Sequence, residues 1–107
     1  MKSNIVGTYN ILRSINTKIF LIHISTDEVF GHVINNKSFN EKTKYNPRSP
    51  YSASKASADH LVSAWNSTYG YKSTIVNCCN NFGPNQDKEK FILVIINNIL
   101  NNKKIPK

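Results

Sequence analysis

Hydrophobic positions recur along this chain with two alternating periods. Residues 4–16 carry Ile5, Val6, Tyr9, Leu12 and Ile15 at helical spacing, with Ser3 or Asn4 as N-cap. Gly7 weakens that helix by about 1 kcal/mol relative to alanine and permits close approach of a neighbouring backbone. Residues 19–25, Ile-Phe-Leu-Ile-His-Ile-Ser, form a nearly continuous apolar run, the pattern of a parallel strand buried on both faces. A polar connection follows over 29–50, marked by Gly31, Asn35-Asn36, Pro47 and Pro50. Loops of this length are usually functional or disordered.

Ser49 at N-cap and Pro50 at N1 then start a second helix. It continues to about Tyr69, with Ala58, Leu61, Val62 and Trp65 as its apolar stripe, and Gly70 stops it in the C′ position. Residues 73–79 read as a second buried strand, and 91–100 as a strongly apolar helix begun near Asp87. Residues 103–107 start an element that the chain does not finish. The order helix, strand, helix, strand, helix argues for right-handed βαβ crossovers and an α/β fold with a parallel sheet. Two strands do not make a stable sheet of that kind alone. The expectation is a partial, Rossmann-type doubly wound sheet, with about two core strands and three helices.

Composition narrows the class. The chain has 107 residues, 39% hydrophobic and 19% charged, which suits one small soluble globular unit. No apolar run approaches the roughly 20 residues that span a bilayer. Met1-Lys2-Ser3-Asn4 lacks the apolar core of a secretory signal, so a cytoplasmic setting is expected. A net charge of +8 would suit a nucleic-acid or membrane-surface partner. The lysines, however, are spread over loops and the C-terminal end, without an Arg-rich stripe or interleaved aromatics. Neither partner is expected.

Cys78 and Cys79 are neighbours whose side chains would point to opposite faces of a strand, which disfavours a mutual bridge. No second Cys or His pair stands at ligand spacing, so reduced, partly buried thiols and no metal are expected. His23, His32 and His60 are assigned no ligand role.

Three stretches carry candidate chemistry. Tyr51 and Lys55 open the second helix as Tyr-x-x-x-Lys, one turn apart on one face. An ammonium there favours the phenolate, a way to make a phenol serve as a general base. Thr26-Asp27-Glu28 stands at the carboxyl end of the first strand, where open α/β sheets place ligands. Asn80-Asn81-Phe82-Gly83-Pro84 leaves the second strand at the equivalent end.

Together, His-Ile-Ser-Thr-Asp-Glu-Val-Phe-Gly (23–31), Ser-Pro-Tyr-Ser-Ala-Ser-Lys-Ala (49–56) and Asn-Cys-Cys-Asn-Asn-Phe-Gly-Pro (77–84) resemble the extended short-chain dehydrogenase/reductases. This is the NAD-dependent epimerase/dehydratase family, and the likeness is greatest to its dTDP-glucose 4,6-dehydratases. Asn-Ile-Val-Gly-Thr-Tyr (4–9) is similar to that family's helix before the catalytic strand. The family's fold begins with a Gly-rich turn that binds the dinucleotide pyrophosphate, and the four glycines here are scattered. The resemblance therefore implies a central fragment. Residues 1–84 would be the C-terminal part of the NAD-binding Rossmann domain, and 85–107 the start of the nucleotide-sugar region.

The resemblance also implies a reaction, conversion of dTDP-glucose to the 4-keto-6-deoxy sugar by an NAD-dependent hydro-lyase. Tyr51 would take the C4 hydroxyl proton, Lys55 would hydrogen-bond the nicotinamide ribose, and Thr26 would hydrogen-bond the C4 oxygen. Glu28 would be the base at C5 and Asp27 the acid at the C6 hydroxyl. Adjacent carboxyls push their pKa values apart, which suits that division. The 4-epimerases lack the acidic pair, so Asp27-Glu28 favours a dehydratase. Asn80, Lys90 and Phe91 match substrate-binding positions, and Asn81 and Ser3 cofactor positions.

The sequence departs from the family at residues 85–88, at Leu93, and at Phe30, Ser3 and Phe91. The family dimerises through the helices matching 4–16 and 51–69, which implies a homodimer for a full-length parent. A UDP-glucose or other nucleotide-sugar enzyme and an inactive truncated remnant are the alternatives. The isolated 107 residues are expected to show no turnover and to bind NAD poorly.

Overall fold

Two parallel strands joined by a long helix organise the chain. The computed structural model describes residues 1–33 and 38–106. Asn35 and Asn36, which mark the long connection, and Lys107 at the end of the final segment lie outside the described residues.

The first helix opens as a single π-helical turn, Lys2–Val6, and continues as α1 (Gly7–Ser14). Ser3 and Asn4 lie inside that turn and cap nothing, because the N-cap position falls to Met1. The Asn4 amide is engaged elsewhere, donating to Ser54 Oγ at 2.9 Å and tying the turn to the second helix. Gly7 is not pressed by a neighbouring backbone, contrary to expectation. A Cβ there would come no nearer than 3.9 Å to the Lys2 carbonyl oxygen, an ordinary contact. Of the expected stripe only Leu12 is fully buried, beside Thr8, whereas Val6 and Tyr9 are exposed. Tyr9 packs edge-on against Trp65 at 5.7 Å between ring centroids.

Strand β1 (Phe20–Thr26) pairs in parallel with β2 (Lys72–Cys78), from Phe20↔Lys72 to Thr26↔Cys78. Each is shifted by one residue from its sequence-based range. Helix α2 (Pro50–Tyr69) makes the crossover and packs on the sheet. Its start is fixed locally. Ser49 Oγ accepts from Ser52 N–H at 3.0 Å, and Ser52 Oγ accepts from Ser49 N–H at 3.0 Å, a reciprocal capping box. Its end is Gly70, left-handed at φ 69°, whose N–H donates to the Asn66 carbonyl.

Burial on both faces of β1 does not occur. The face carrying His23 and Ser25 lies against α2, while Phe20, Ile22 and Ile24 on the other are 60%, 59% and 56% exposed. Among the described residues, helices cover one side only. The second apolar set along β1 faces no layer in this structure.

The core is correspondingly small. Val29, Phe30 and Ala56 form its cluster with Phe39 and Tyr45 against it, and Leu12, Ala58 and Val62 are also buried. Leu61 and Trp65 are only partly covered. Helix α3 (Phe91–Leu100) buries no residue despite its apolar sequence. It begins later than Asp87 because the Asp87 carboxylate accepts from Glu89 N–H at 3.0 Å, closing a separate turn first. The radius of gyration of 17.3 Å exceeds the about 13 Å of a compact domain this size. Among the described residues a single closed core does not form.

Candidate active site

The first site element is the exit from β1. The strand ends at Thr26, and a 3-10 turn, Asp27–Phe30, begins at once. Thr26 Oγ1 caps the turn by accepting from Glu28 N–H at 3.3 Å, and donates to Asp27 Oδ1 at 3.3 Å. Both bonds are long and correspondingly weak. Leaving the strand here frees Asp27 and Glu28 from strict alternation between opposite faces. From β2, Asn77 Nδ2 donates to the Thr26 carbonyl at 3.2 Å and pins the strand end.

The second element is the first turn of α2. Tyr51 is 52% exposed there, open to the space above the sheet. Lys55 reaches across to β1 and donates from Nζ to the Ile24 carbonyl at 2.6 Å. The third is the exit from β2, where Asn80 and Asn81 are exposed and Gln86 Nε2 donates to the Asn81 carbonyl at 2.7 Å.

These three elements enclose a cleft of about 720 Å³ at the carboxyl ends of both strands. Thr26, Glu28, Tyr51, Asn80, Asn81, Lys90 and Phe91 line it together. Asp27 is adjacent but does not line it, its carboxylate taken by Thr26. Lys55 does not line it but sits on the carbonyl of the lining residue Ile24. Ser3 sits in the π turn, away from the cleft. Cys78 and Cys79 are free thiols on the cleft wall, Cys78 half-buried and Cys79 exposed.

Several residues of the site escaped the sequence reading. Gln86 and Glu89 line the cleft beside Lys90. Beneath it, Asp59 on α2 is 1% exposed. Ser25 Oγ donates to Asp59 Oδ2 at 2.6 Å, and His23 Nε2 lies 3.1 Å from Asp59 Oδ1. That second contact is close but lacks the alignment of a hydrogen bond. Burial pushes the Asp59 carboxyl up, but His23, Ser25 and Tyr45 around it more than offset this and hold it below the usual range. Burial, then the Asp59 charge, pushes the Tyr45 hydroxyl up. The available signal was an aspartate at four-residue spacing after Tyr51 and Lys55.

A parallel strand pair with a helical crossover and a ligand-sized cleft at the strand carboxyl ends defines an α/β protein with its site where parallel sheets place ligands. The chain belongs to the GDP-mannose 4,6 dehydratase family, whose model matches residues 1–107. It is 52% identical over 103 residues to the dTDP-glucose 4,6-dehydratase of Mycolicibacterium smegmatis, covering 94% of this chain and 31% of that one. The crystal structure of dTDP-glucose 4,6-dehydratase from Bacillus anthracis in complex with NAD superposes with a TM-score of 0.91 at 40% identity, covering 98% of this chain and 34% of that one. UDP-glucuronic acid 4-epimerase from Bacillus cereus in complex with NAD follows at 0.86 and 27% identity, over 95% of this chain and 33% of that one. The chain thus spans about a third of the length of its relatives.

Proposed function

We propose that these residues form the catalytic portion of an NAD-dependent dTDP-glucose 4,6-dehydratase, a hydro-lyase of the cytoplasm. The observation that carries the reading is that Thr26, Glu28, Tyr51, Asn80 and Asn81 share one cleft, on a chain half identical to such an enzyme. Residues 1–84 would belong to the NAD-binding half, and 85–107 would open the nucleotide-sugar region. That Gln86, Glu89, Lys90 and Phe91 line the same cleft as the strand ends supports that division.

The residues present fit the nicotinamide end of NAD. Lys55 carries three N–H donors and the Ile24 carbonyl takes one, which leaves two for a ribose diol beside Tyr51. Asn81 would hold the cofactor from the β2 side. When bound, NAD supplies a hydride acceptor for C4 and later the donor for C6.

The chain's own groups would move the protons. Tyr51 takes the C4 hydroxyl proton while Thr26 holds the same oxygen, leaving a 4-ketone that acidifies C5. Glu28 then takes the C5 proton, and Asp27 protonates the C6 hydroxyl so that it departs as water. For this the Thr26–Asp27 contact must yield to substrate, and at 3.3 Å it is weak enough to do so. Asn80, Lys90 and Phe91 would hold the nucleotide-sugar.

A homodimer would form through the first helix and α2. Their shared outer surface supports this, with Tyr9, Trp65 and Tyr69 in contact in series and Val6 and Ile11 exposed.

The test is a chimera in which residues 1–107 replace the matching third of the M. smegmatis enzyme. It should dehydrate dTDP-glucose, and Tyr51→Phe should lower kcat by about 10²–10⁴-fold. A folded, NAD-binding chimera without turnover would instead mark an inactive remnant. A UDP-sugar substrate is the second reading, favoured by the likeness to the UDP-glucuronic acid 4-epimerase. Assaying the complete polypeptide that carries these residues with dTDP- and UDP-glucose separates the two.

A further inference from the structure

The stripe that begins with Tyr51 and Lys55 has a third member. Steps of four residues turn 400° around a helix of 3.6 residues per turn, so Tyr51, Lys55 and Asp59 drift only about 40° per step and share one face. Both later members bind β1. Lys55 Nζ holds the Ile24 carbonyl at 2.6 Å, and Asp59 takes the Ser25 hydroxyl at 2.6 Å with His23 beside its other oxygen at 3.1 Å. Ser25 directly precedes Thr26. Two polar anchors one helical turn apart therefore join the helix bearing Tyr51 to the strand bearing Thr26. A carboxylate that is 1% exposed is a costly way to fill space, since an aliphatic side chain would pack as well. What an aliphatic residue lacks is direction.

We infer that Asp59 is a positioning residue for the Tyr51 chemistry, fixing the rotation of α2 against β1 through Ser25 and His23. The inference rests on the reading of the cleft given above. The side-chain shell of a helix lies about 5–6 Å from its axis, so a 10° rotation displaces a group there by about 1 Å. A displacement of that size can cost about 10²-fold in rate. Loss of the anchor should slow the step at C4 while leaving nucleotide-sugar binding, the role proposed for Asn80, Lys90 and Phe91, largely intact.

The experiment uses the chimera with Asp59→Asn, Asp59→Leu and Ser25→Ala, assayed beside Tyr51→Phe. Rates are normalised to the folded, NAD-binding fraction, and substrate deuterated at C4 is run in parallel. The expected result for both Asp59 variants is a kcat lower by about 10–100-fold with KM within about threefold. The isotope effect should rise, because hydride loss from C4 becomes more rate-limiting. Ser25→Ala, which removes one of the two partners, should fall about tenfold and keeps the inference testable if Asp59→Leu fails to fold.

A normalised kcat unchanged in Asp59→Asn and Ser25→Ala overturns the inference. So does a loss that follows the folded fraction with no change in isotope effect, the mark of a merely structural aspartate. If Tyr51→Phe retains full activity, the reading of the cleft fails and the inference with it. If Tyr51→Phe is inactive and the Asp59 variants are not, the inference alone fails.

Discussion

Replacing Gly31 with alanine tests the turn that carries the acidic pair. Gly31 ends the 3-10 turn Asp27–Phe30 at φ 84° and ψ −142°, a combination almost confined to glycine. A Cβ added there would stand 2.5 Å from the Asn46 carbonyl oxygen. That oxygen belongs to the backbone and cannot swing aside, because Asn46 N–H donates to the Val29 carbonyl at 2.8 Å. Gly70 is the natural control. It is left-handed at φ 69° and ψ 24°, and an added Cβ meets nothing within 4 Å.

At Gly70, alanine incurs the left-handed cost of about 1–2 kcal/mol, offset by about 0.4–1 kcal/mol from a stiffer unfolded chain. The net is about 1 kcal/mol. At Gly31 the backbone strain alone is about 1–3 kcal/mol, and overpacking against Asn46 adds about 1–3 kcal/mol. With the same unfolded-chain offset the expected loss is about 3 kcal/mol at the middle of those ranges. Urea unfolding of the chimera carrying each substitution measures both. Relaxation of the Asn46 segment would also move Glu28, so Gly31→Ala should lower normalised kcat while Gly70→Ala leaves it within about twofold. Equal stability losses for the two glycines would refute the argument, since only Gly31 combines strain with a clash.

Ser49→Ala removes one half of the capping box and should destabilise α2 by about 1 kcal/mol, read as a lower thermal midpoint in the chimera. The depressed Asp59 carboxyl contributes stability that is fully present above its unfolded value near 3.8 and is lost as pH falls through the lower folded value. Asp59→Asn should flatten that acid limb of the stability profile. The raised Tyr45 hydroxyl contributes stability present below about pH 10 and lost as pH rises through the folded value, so Tyr45→Phe should extend the alkaline limit. In the isolated chain, Ile22→Thr with Ile24→Thr should reduce self-association by light scattering, because both isoleucines lie on the bare face of β1. The same pair should destabilise the chimera if that face is covered there.

The contrast between α2 and β1 shows which parts of this fold a sequence can carry. The start and end of α2 were readable to the residue, since Ser49, Pro50 and Gly70 act on backbone groups within four positions of themselves. The three cleft elements were readable for the same reason, as each is a short run at a strand exit or helix start. The apolar run of β1 was read correctly as a strand and wrongly as buried on both faces. Its residues suit a sheet with layers on each side, and only one layer is present among the described residues. Asp59 escaped for the opposite reason. Its four-residue spacing after Tyr51 and Lys55 marks the shared helix face but not its burial, and its partner Ser25 lies 34 positions away. Gln86 was likewise read as part of a divergent stretch, although its amide closes the turn that presents Asn81. The residues proposed to perform chemistry are thus grouped in short motifs, whereas those proposed to aim them are paired across the fold. Substitutions at Asp59 and Gln86 are therefore where function should change without any motif being touched.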